Sequence, residues 1–556
     1  MKTTKIRLLI SLVLSFTLVS SVLSGCSSKS TNADSNKETQ VSKGDGEPLG
    51  KYSPELNVTV ANFMDSTVKF PQGQSNTDNV WTKAYKDNLG INVKTLWVVD
   101  TQQFEQKMNV TIASGDLPDI FPVTGKQLSQ LVESGSIEDL SSVYDKYASD
   151  LTKDIYSQDK QLFELGKRDG KLYGLPNTGG SSALDTPQML YIREDWRKKL
   201  NLPEPKTIDD FFKIADAFTN QDPDGNGKKD TYALALHKYV AGAPLQGFAD
   251  LQGLANAFHA YLTTWIKDDS GKIVYGSIQP EVKVLLQKLQ DMYKNGQIDK
   301  EFSIKDMAKA TEGVVAGKVG MEFGMMWNPF FPLQSSIVND KNTEWKAYPI
   351  PTSDGKPVKV STSVTTQNFW VVKKGFKNPE AVVKMLNLFT EKFWGKTADN
   401  NLANGDGVDF VPFKYALPQA WPAKKNVNIH NNIVTALKSN DASKLNPEEK
   451  GYYDKIQAYL KNGDVQAGWG TNAIFGENST YDVINYYINN NMYLYNEYNN
   501  IPTPSMVDKG STLDKMENET FIKIIMGAPI DEFDKFVENW NKLGGDAITK
   551  ELNEAK

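Results

Sequence analysis

Between residues 56 and 122 the chain alternates strand and helix patterns, and this alternation restricts the possible fold more than any other feature. Leu56-Asn57-Val58-Thr59-Val60 has the period of two that marks a strand. A helical pattern follows from Asp78 to Asn88 and stops at Gly90, a residue suited to the left-handed conformation of a helix end. A strand from Ile91 to Val98, a helix from Gln102 to Ala113, the turn Ser114-Gly115-Asp116 and a short strand from Asp119 to Pro122 complete the run. The βαβαβ order predicts an α/β fold with a parallel sheet and right-handed crossovers. Ligands of such sheets bind beyond the carboxyl ends of the strands. The segments after Val60 and Phe121 are therefore expected to touch ligand, through Asn62, Phe63, Asp65, Val123 and Thr124.

The N-terminal segment carries a different message. Lys2, Lys5 and Arg7 precede an apolar run from Leu8 to Val22, too short and too interrupted by serine for a membrane span, and then Leu23-Ser24-Gly25-Cys26. That is the pattern of a secretory signal over residues 1–25. Leu23 to Cys26 resembles the lipobox of bacterial lipoproteins, which implies lipidation of Cys26 on sulfur and its exposure as the mature first residue. A cleaved signal followed by a chance cysteine is the alternative, but the basic start, apolar run, small residues and cysteine fall in the lipoprotein order. Each buried methylene contributes about 0.8 kcal/mol, and the two chains of a diacylglyceryl cysteine suffice for stable anchoring. Residues 26–52 are so poor in apolar side chains that they are expected to form a disordered tether. Cys26 is the single cysteine of the 556 residues, which excludes disulfides and thiolate metal sites. A chain of this length needs more than one hydrophobic core. Its net charge of -6 is spread among interspersed acidic and basic residues, so nucleic acid is not an expected partner.

Farther along, Asp169 to Pro176 reads as a hairpin leading into an extended segment, and Met189 to Arg193 as a strand. Thr207 and Asp210 form a capping pair ahead of Ile208, Phe211, Phe212, Ala215 and Phe218, which share a helix face. The loop Asp222-Pro223-Asp224-Gly225-Asn226-Gly227-Lys228-Lys229-Asp230 follows. Oxygen side chains at alternate positions, with glycine at the sixth, match the calcium loop of an EF-hand, with Lys228 contributing its backbone carbonyl. The twelfth position is Ala233 where such loops carry a bidentate glutamate, so another carboxylate or water must complete a structural calcium site. An Asx-rich turn without an ion is the alternative. Leu251 to Trp265 and Pro280 to Tyr293 have helical periodicity, whereas Val319 to Pro329 reads as a buried strand breaking into a loop. Phe369 to Val372 reads as a strand and Asn378-Pro379-Glu380 as a helix start, a βα stretch that returns to the first lobe. Tyr481 to Asn500 fits a helix packing surface better than a carbohydrate-binding ladder, and a final helix is expected over Glu532 to Leu543.

Asp169 to Pro176, Arg193 to Trp196, Pro205 to Thr207, Asp222 to Tyr232, Thr520 to Gly527 and Phe533 to Thr549 together resemble the large lipoprotein solute-binding proteins of oligosaccharide ABC importers in Gram-positive bacteria. These are the LplA and LipO type within extracellular solute-binding family 1. The resemblance runs from Cys26 to the C-terminus. It implies a periplasmic-binding-protein-like fold of type II, with two interleaved lobes and ligand held between them. The expected solute-binding domain is 53–556, with one lobe at about 53–184 and 360–415 and the other at about 185–359 and 416–556. Crossings are expected near 180–188 and 355–365, with a third after the helix at 379–393. The family's calcium pattern falls on Asp222, Asp224, Asn226, Lys228 and Asp230, and its partners are an oligosaccharide and the permease subunits of an ABC transporter.

Sugars lie against flat apolar faces and share hydrogen bonds with planar amides, carboxylates and arginine. Trp327 is the first aromatic candidate because its loop resembles one lining the sugar site of maltose-binding relatives. Trp265, Trp370 and Trp469 follow, although core packing accounts for each of these taken singly. The sequence thus predicts a monomeric, membrane-anchored receptor without enzymatic activity. A calcium-stabilised glycoside hydrolase would need two carboxylates across a cleft. Its acyl-transfer and metallohydrolase counterparts have no motif here, and His237, His259 and His430 are scattered. A binding protein for peptides, or a surface scaffold, is the third reading.

Overall fold

The computed structural model describes residues 46–64, 70–178, 182–241, 247–362, 364, 366, 368–405, 411–498 and 502–554. Cys26 and Asp65 lie outside these residues, as do the signal segment and most of the expected tether.

Eleven strands organise the two main sheets and the connection between them: β1 Leu56–Met64, β2 Ile91–Asp100, β3 Ile120–Val123, β4 Leu175–Asn177, β5 Met189–Arg193, β6 Tyr232–Leu234, β7 Val319–Gly324, β8 Trp345–Tyr348, β9 Val360–Thr362, β10 Asn368–Val372 and β11 Tyr493–Tyr495. The first sheet has the order β2-β1-β3-β10-β4. Its β1 runs parallel to β2 and β3, as the βαβαβ pattern requires. Strand β10 inserts antiparallel between β3 and β4, bringing back a segment from far along the chain. The second sheet has the order β8-β5-β7-β6.

Two separate cores follow from these sheets. One gathers Tyr52 to Leu175 with Phe369 to Trp421, and the other gathers Met189 to Val360 with Val427 to Leu552. Ala416, Leu417, Ala420 and Trp421 pack in the first core, past the boundary expected at 415. The chain passes between cores after Leu175, after Val360 and after Trp421. These passages are knotted together by hydrogen bonds. Thr186 and Thr362 share one between hydroxyls at 2.6 Å, and Thr362 Oγ1 donates to the Ala183 carbonyl. Buried Asp185 accepts from Tyr481 at 2.8 Å, Asn426 at 3.1 Å and Ser182 at 3.2 Å. Strand β9 lies parallel to β11 beside this knot.

Several elements depart from the sequence expectation. Strand β1 continues to Met64, so Asn62 and Phe63 stand in the strand rather than in a loop. The helix expected over Leu251 to Trp265 is only Gln252–Ala257, and Trp265 begins a strand, Trp265–Lys267. His259 and Thr263 take φ of 57° and 54°, which no right-handed helix contains. The Ser277 hydroxyl holds the Thr263 amide there at 2.6 Å. The tyrosine-rich stretch divides into a helix, Thr480–Asn489, and β11, with Tyr481 and Tyr487 fully buried in the second core. The last helix predicted to reach Leu543 ends at Trp540.

Candidate functional site

A cleft opens between the two cores, and its floor lies at the passages. Thr186, Gln188, Gln252, Thr263, Thr264, Met325, Ser361, Thr362 and Asn496 line a pocket of about 100 Å³ there. Every polar side chain among them is a hydroxyl or an amide, and none is charged. The groups are held by one another: Gln252 donates to Ser361 at 2.5 Å, and the Gln188 side chain accepts from the Gly253 amide at 2.7 Å. The Asn496 side chain accepts from the Trp265 and Tyr498 amides at 3.0 and 3.1 Å. A second pocket, of about 1180 Å³, is lined by Glu497, the neighbour of Asn496, with Glu551 and Glu554 of the same lobe and Lys126, Lys167 and Arg168 of the other. The first two of these glutamates are engaged at once, Glu497 with Lys267 at 2.6 Å and Glu551 with the Ser505 hydroxyl at 2.7 Å. Burial pulls Arg168 down to about 10, its guanidinium donating to Leu165 and Lys167 carbonyls and to Ser129.

The Trp327 loop adjoins the floor through Met325. Trp327 is half-buried, edge-on to Phe248 at 5.4 Å, and Phe248 meets Phe331 at 5.7 Å in the same manner. Phe330 and Phe331 are exposed by 47% and 43%, a large apolar face to leave uncovered. A Cβ at Gly247 would lie 2.2 Å from the Trp327 ring, so only glycine lets the backbone pass beneath it. The loop itself is braced from below. Tyr191 donates its hydroxyl to the Met325 carbonyl at 2.7 Å, and the Met325 amide donates to Gly247 at 3.0 Å. Asn328 donates its side-chain amide to Glu322 at 2.8 Å, and burial pushes Glu322 up to about 8. Asp250, ahead of the helix Gln252–Ala257, is likewise raised by burial to about 6 against the pull of the Gln252 and Leu251 amides.

The other aromatic candidates stand elsewhere. Trp265 packs in the second core against Tyr275 at 4.9 Å and Trp540 at 6.1 Å. Trp370 is inside the first core, its indole nitrogen without a hydrogen-bond partner among the described residues. Trp469 is buried beside Trp345, Pro329 and Leu333. At the first sheet, Asn62 reaches Asn76 at 3.4 Å, Phe63 packs on Phe104 at 4.7 Å, and Val123 is buried opposite Phe369. Thr124 caps the helix Gly125–Glu133, its hydroxyl accepting from the Gln127 amide at 3.3 Å. The floor residues were not among the sequence candidates. The Val360 to Thr366 run of hydroxyl side chains at an expected crossing is the signal that could have found Ser361 and Thr362.

In the loop 222–230, Asp222 accepts from the Asn226 and Gly227 amides, each at 3.0 Å, and the Gly227 bond holds its carboxyl below the ordinary range. Asn226 places its NH₂ group between Asp224 at 2.7 Å and Asp230 at 3.0 Å. The Asp230 carboxyl is lowered by that amide and by Lys318 at 3.6 Å, whereas burial and its acidic neighbours raise Asp224. Among the described residues no three acidic or imidazole side chains converge as a metal cluster. The donor set is nonetheless one that suits a hard cation. Rotating the Asn226 amide by half a turn would replace the positive end of its dipole with an oxygen facing Asp224 and Asp230. Ala233, at the twelfth position, is buried in β6 and offers no ligand there.

Residues 81–431 match the family model of the bacterial extracellular solute-binding protein. Lipoprotein LipO of Bacillus subtilis is 25% identical over 487 residues, covering 85% of this chain and 87% of LipO. The fructooligosaccharide ABC transporter substrate-binding protein FusA of Streptococcus pneumoniae is 23% identical over 402 residues, covering 69% of this chain and 70% of FusA. An extracellular solute-binding protein from Bifidobacterium longum subsp. infantis superposes with a TM-score of 0.62 at 18% identity, over 90% of this chain and 98% of that one. With two cores, three passages and a cleft between them, the chain belongs to the bacterial extracellular solute-binding protein family and has its two-lobed α/β fold.

Proposed function

We propose that this protein is an extracellular receptor that captures an oligosaccharide in the cleft and delivers it to the permease of an ABC transporter. The observation that carries this reading is the uncharged floor of hydroxyls and amides beside a half-buried tryptophan and two exposed phenylalanines. A neutral polyhydroxyl ligand exchanges hydrogen bonds with such a floor and stacks its CH faces on such rings. FusA, by its name, is a substrate-binding protein for fructooligosaccharides, and it supports both the ligand class and the transporter partner. Within the reading, Trp327 stacks on the sugar, Asn62, Phe63, Asp65 and Thr124 meet it from the first lobe, and a lipid on Cys26 keeps the receptor at the outer face of the membrane. Trp265, Trp370 and Trp469 act through core packing behind the cleft. A calcium ion held by Asp222, Asp224, Asn226, Asp230 and the Lys228 carbonyl ties the loop to the second lobe.

Calorimetric titration of the mature chain with fructooligosaccharides and with neutral and acidic plant oligosaccharides tests the proposal. One class should bind without turnover, and Trp327→Ala should weaken it by roughly 1 kcal/mol or more, the scale of one lost aromatic contact. Release of shorter sugars would favour a hydrolase, and silence toward every sugar would favour a peptide ligand.

A further inference from the structure

Glu322 is the one acidic side chain of β7, where every residue is buried, and it is itself fully buried. Asn328, also fully buried, donates its amide to one Glu322 oxygen at 2.8 Å. Among the described residues, the remaining oxygen of Glu322 and the side-chain oxygen of Asn328 are both without a partner. Two orphaned acceptors in one contacting pair cannot satisfy each other, and leaving them so is costly in an apolar interior. A proton on the second Glu322 oxygen turns it into a donor and removes both vacancies with one bond. The amide is fixed in place by the backbone under it, since a Cβ at Gly324 would lie 1.9 Å from Asn328 Nδ2.

Among the described residues no cation competes for the carboxyl. From β5, Tyr191 faces Glu322 in register, and its hydroxyl is raised well above its ordinary range and donates to Met325. From β6, the Tyr232 hydroxyl is directed at Asp299. Arg193, at the end of β5, is paired with Asp195 and stacked on Trp196. Asp250, on the segment beside Gly324, turns its carboxylate to the Leu251 and Gln252 amides. Burial is the dominant influence on Glu322, opposed by the Asn328 bond alone.

We infer that Glu322 is neutral at neutral pH and closes a ring of two hydrogen bonds with the Asn328 amide, which makes it the positioning residue for the Trp327 wall. This rests on the reading of that wall as part of the ligand cleft. Ionisation removes the O–H bond to the Asn328 side-chain oxygen and leaves the Asn328 N–H bond as the single tie of the pair, so the ring opens on one side and the 325–328 loop can shift its tryptophan. Glu322→Gln keeps a donor and an acceptor and so keeps the ring, but it removes the titration.

Two ligand-free measurements test this on the intact chain. Infrared difference spectra of the wild type against Glu322→Gln should show a protonated carboxyl at neutral pH that vanishes as the pH passes about 8. Acrylamide quenching, taken as the difference between each protein and its Trp327→Phe counterpart, should rise across the same range in the wild type. It should stay flat in Glu322→Gln and be high throughout in Glu322→Leu. Absence of the neutral-pH carboxyl signal, or equal pH profiles in the wild type and Glu322→Gln, would overturn the inference; should Glu322→Leu fail to fold, these comparisons stand without it. Neither arm contains sugar, so failure of the sugar titrations leaves both readable.

Discussion

Glu322→Gln should stabilise the protein by an amount that grows with pH. Burial places the native Glu322 at about 8, whereas the ordinary value is 4.5. Below the lower value both states carry the proton, and the two proteins differ little because glutamine makes the same pair with Asn328. Between the two values the unfolded wild type releases a proton that its native state retains. The wild type therefore holds its full contribution from this group at low pH and loses it as the pH climbs to about 8, where the loss levels off. At about 1.4 kcal/mol per tenfold change in proton activity, this interval is worth roughly 5 kcal/mol as an upper bound. Asp250 and Glu517 are raised by burial to about 6 and about 7 and add the same sign of slope to both proteins, so they cancel in the comparison. Urea unfolding of both proteins at a series of pH values is the assay, and with two cores the effect belongs to the transition of the second lobe. Unfolding curves separated by a constant amount from acid to neutral pH would refute a proton bound only in the native state.

Three further outcomes are expected. Chelation should lower the melting temperature if calcium holds the loop 222–230, and Asn226→Asp should destabilise the chelated protein by adding a fourth carboxylate, yet tighten calcium binding when titrated; melting curves indifferent to both would remove the ion. Cys26→Ser should release the protein into the medium, and its retention in the membrane fraction would contradict lipid anchoring. Asp185→Ala should cost roughly 3 kcal/mol, because Tyr481, Asn426 and Ser182 all direct donors at that buried carboxylate, and chemical unfolding that matches the wild type would show the knot between the lobes to be dispensable.

The first sheet was readable because its signals are local. Alternating side chains and the Gly90 stop at φ 66° are built from neighbours in sequence, as is the capping pair of Thr207 and Asp210 in the second lobe. The failure at Leu251 to Trp265 has the opposite origin. His259 and Thr263 take left-handed backbone because Asp354 at 3.2 Å and Ser277 hold the folded-back chain, and neither partner is near in sequence. The floor was illegible for the same reason, since its side chains come from separate segments near 186, 252, 264, 361 and 496 that meet only where the lobes join. Trp265 and Trp370 show the converse, aromatic residues whose place depends on which side of a strand the core of their own lobe covers. Glu322 did leave a trace, a carboxyl within the otherwise apolar Val319 to Gly324.

The floor groups are already bonded to one another, as in the pairs Thr186–Thr362 and Gln252–Ser361. A sugar hydroxyl entering there exchanges one hydrogen bond for another, so each such contact contributes on the order of 1 kcal/mol or less. Favourable free energy must then come chiefly from apolar area covered at Trp327, Phe330 and Phe331 and from water expelled on closure. The hydroxyls and amides act mainly by exclusion, because a ligand that cannot replace their bonds leaves them unpaired in a closed cleft. On the proposed reading, such a site is expected to tolerate differences of sugar length, which change contacts in the larger pocket, and to be strict toward the ring that reaches Asn496 and Gln252.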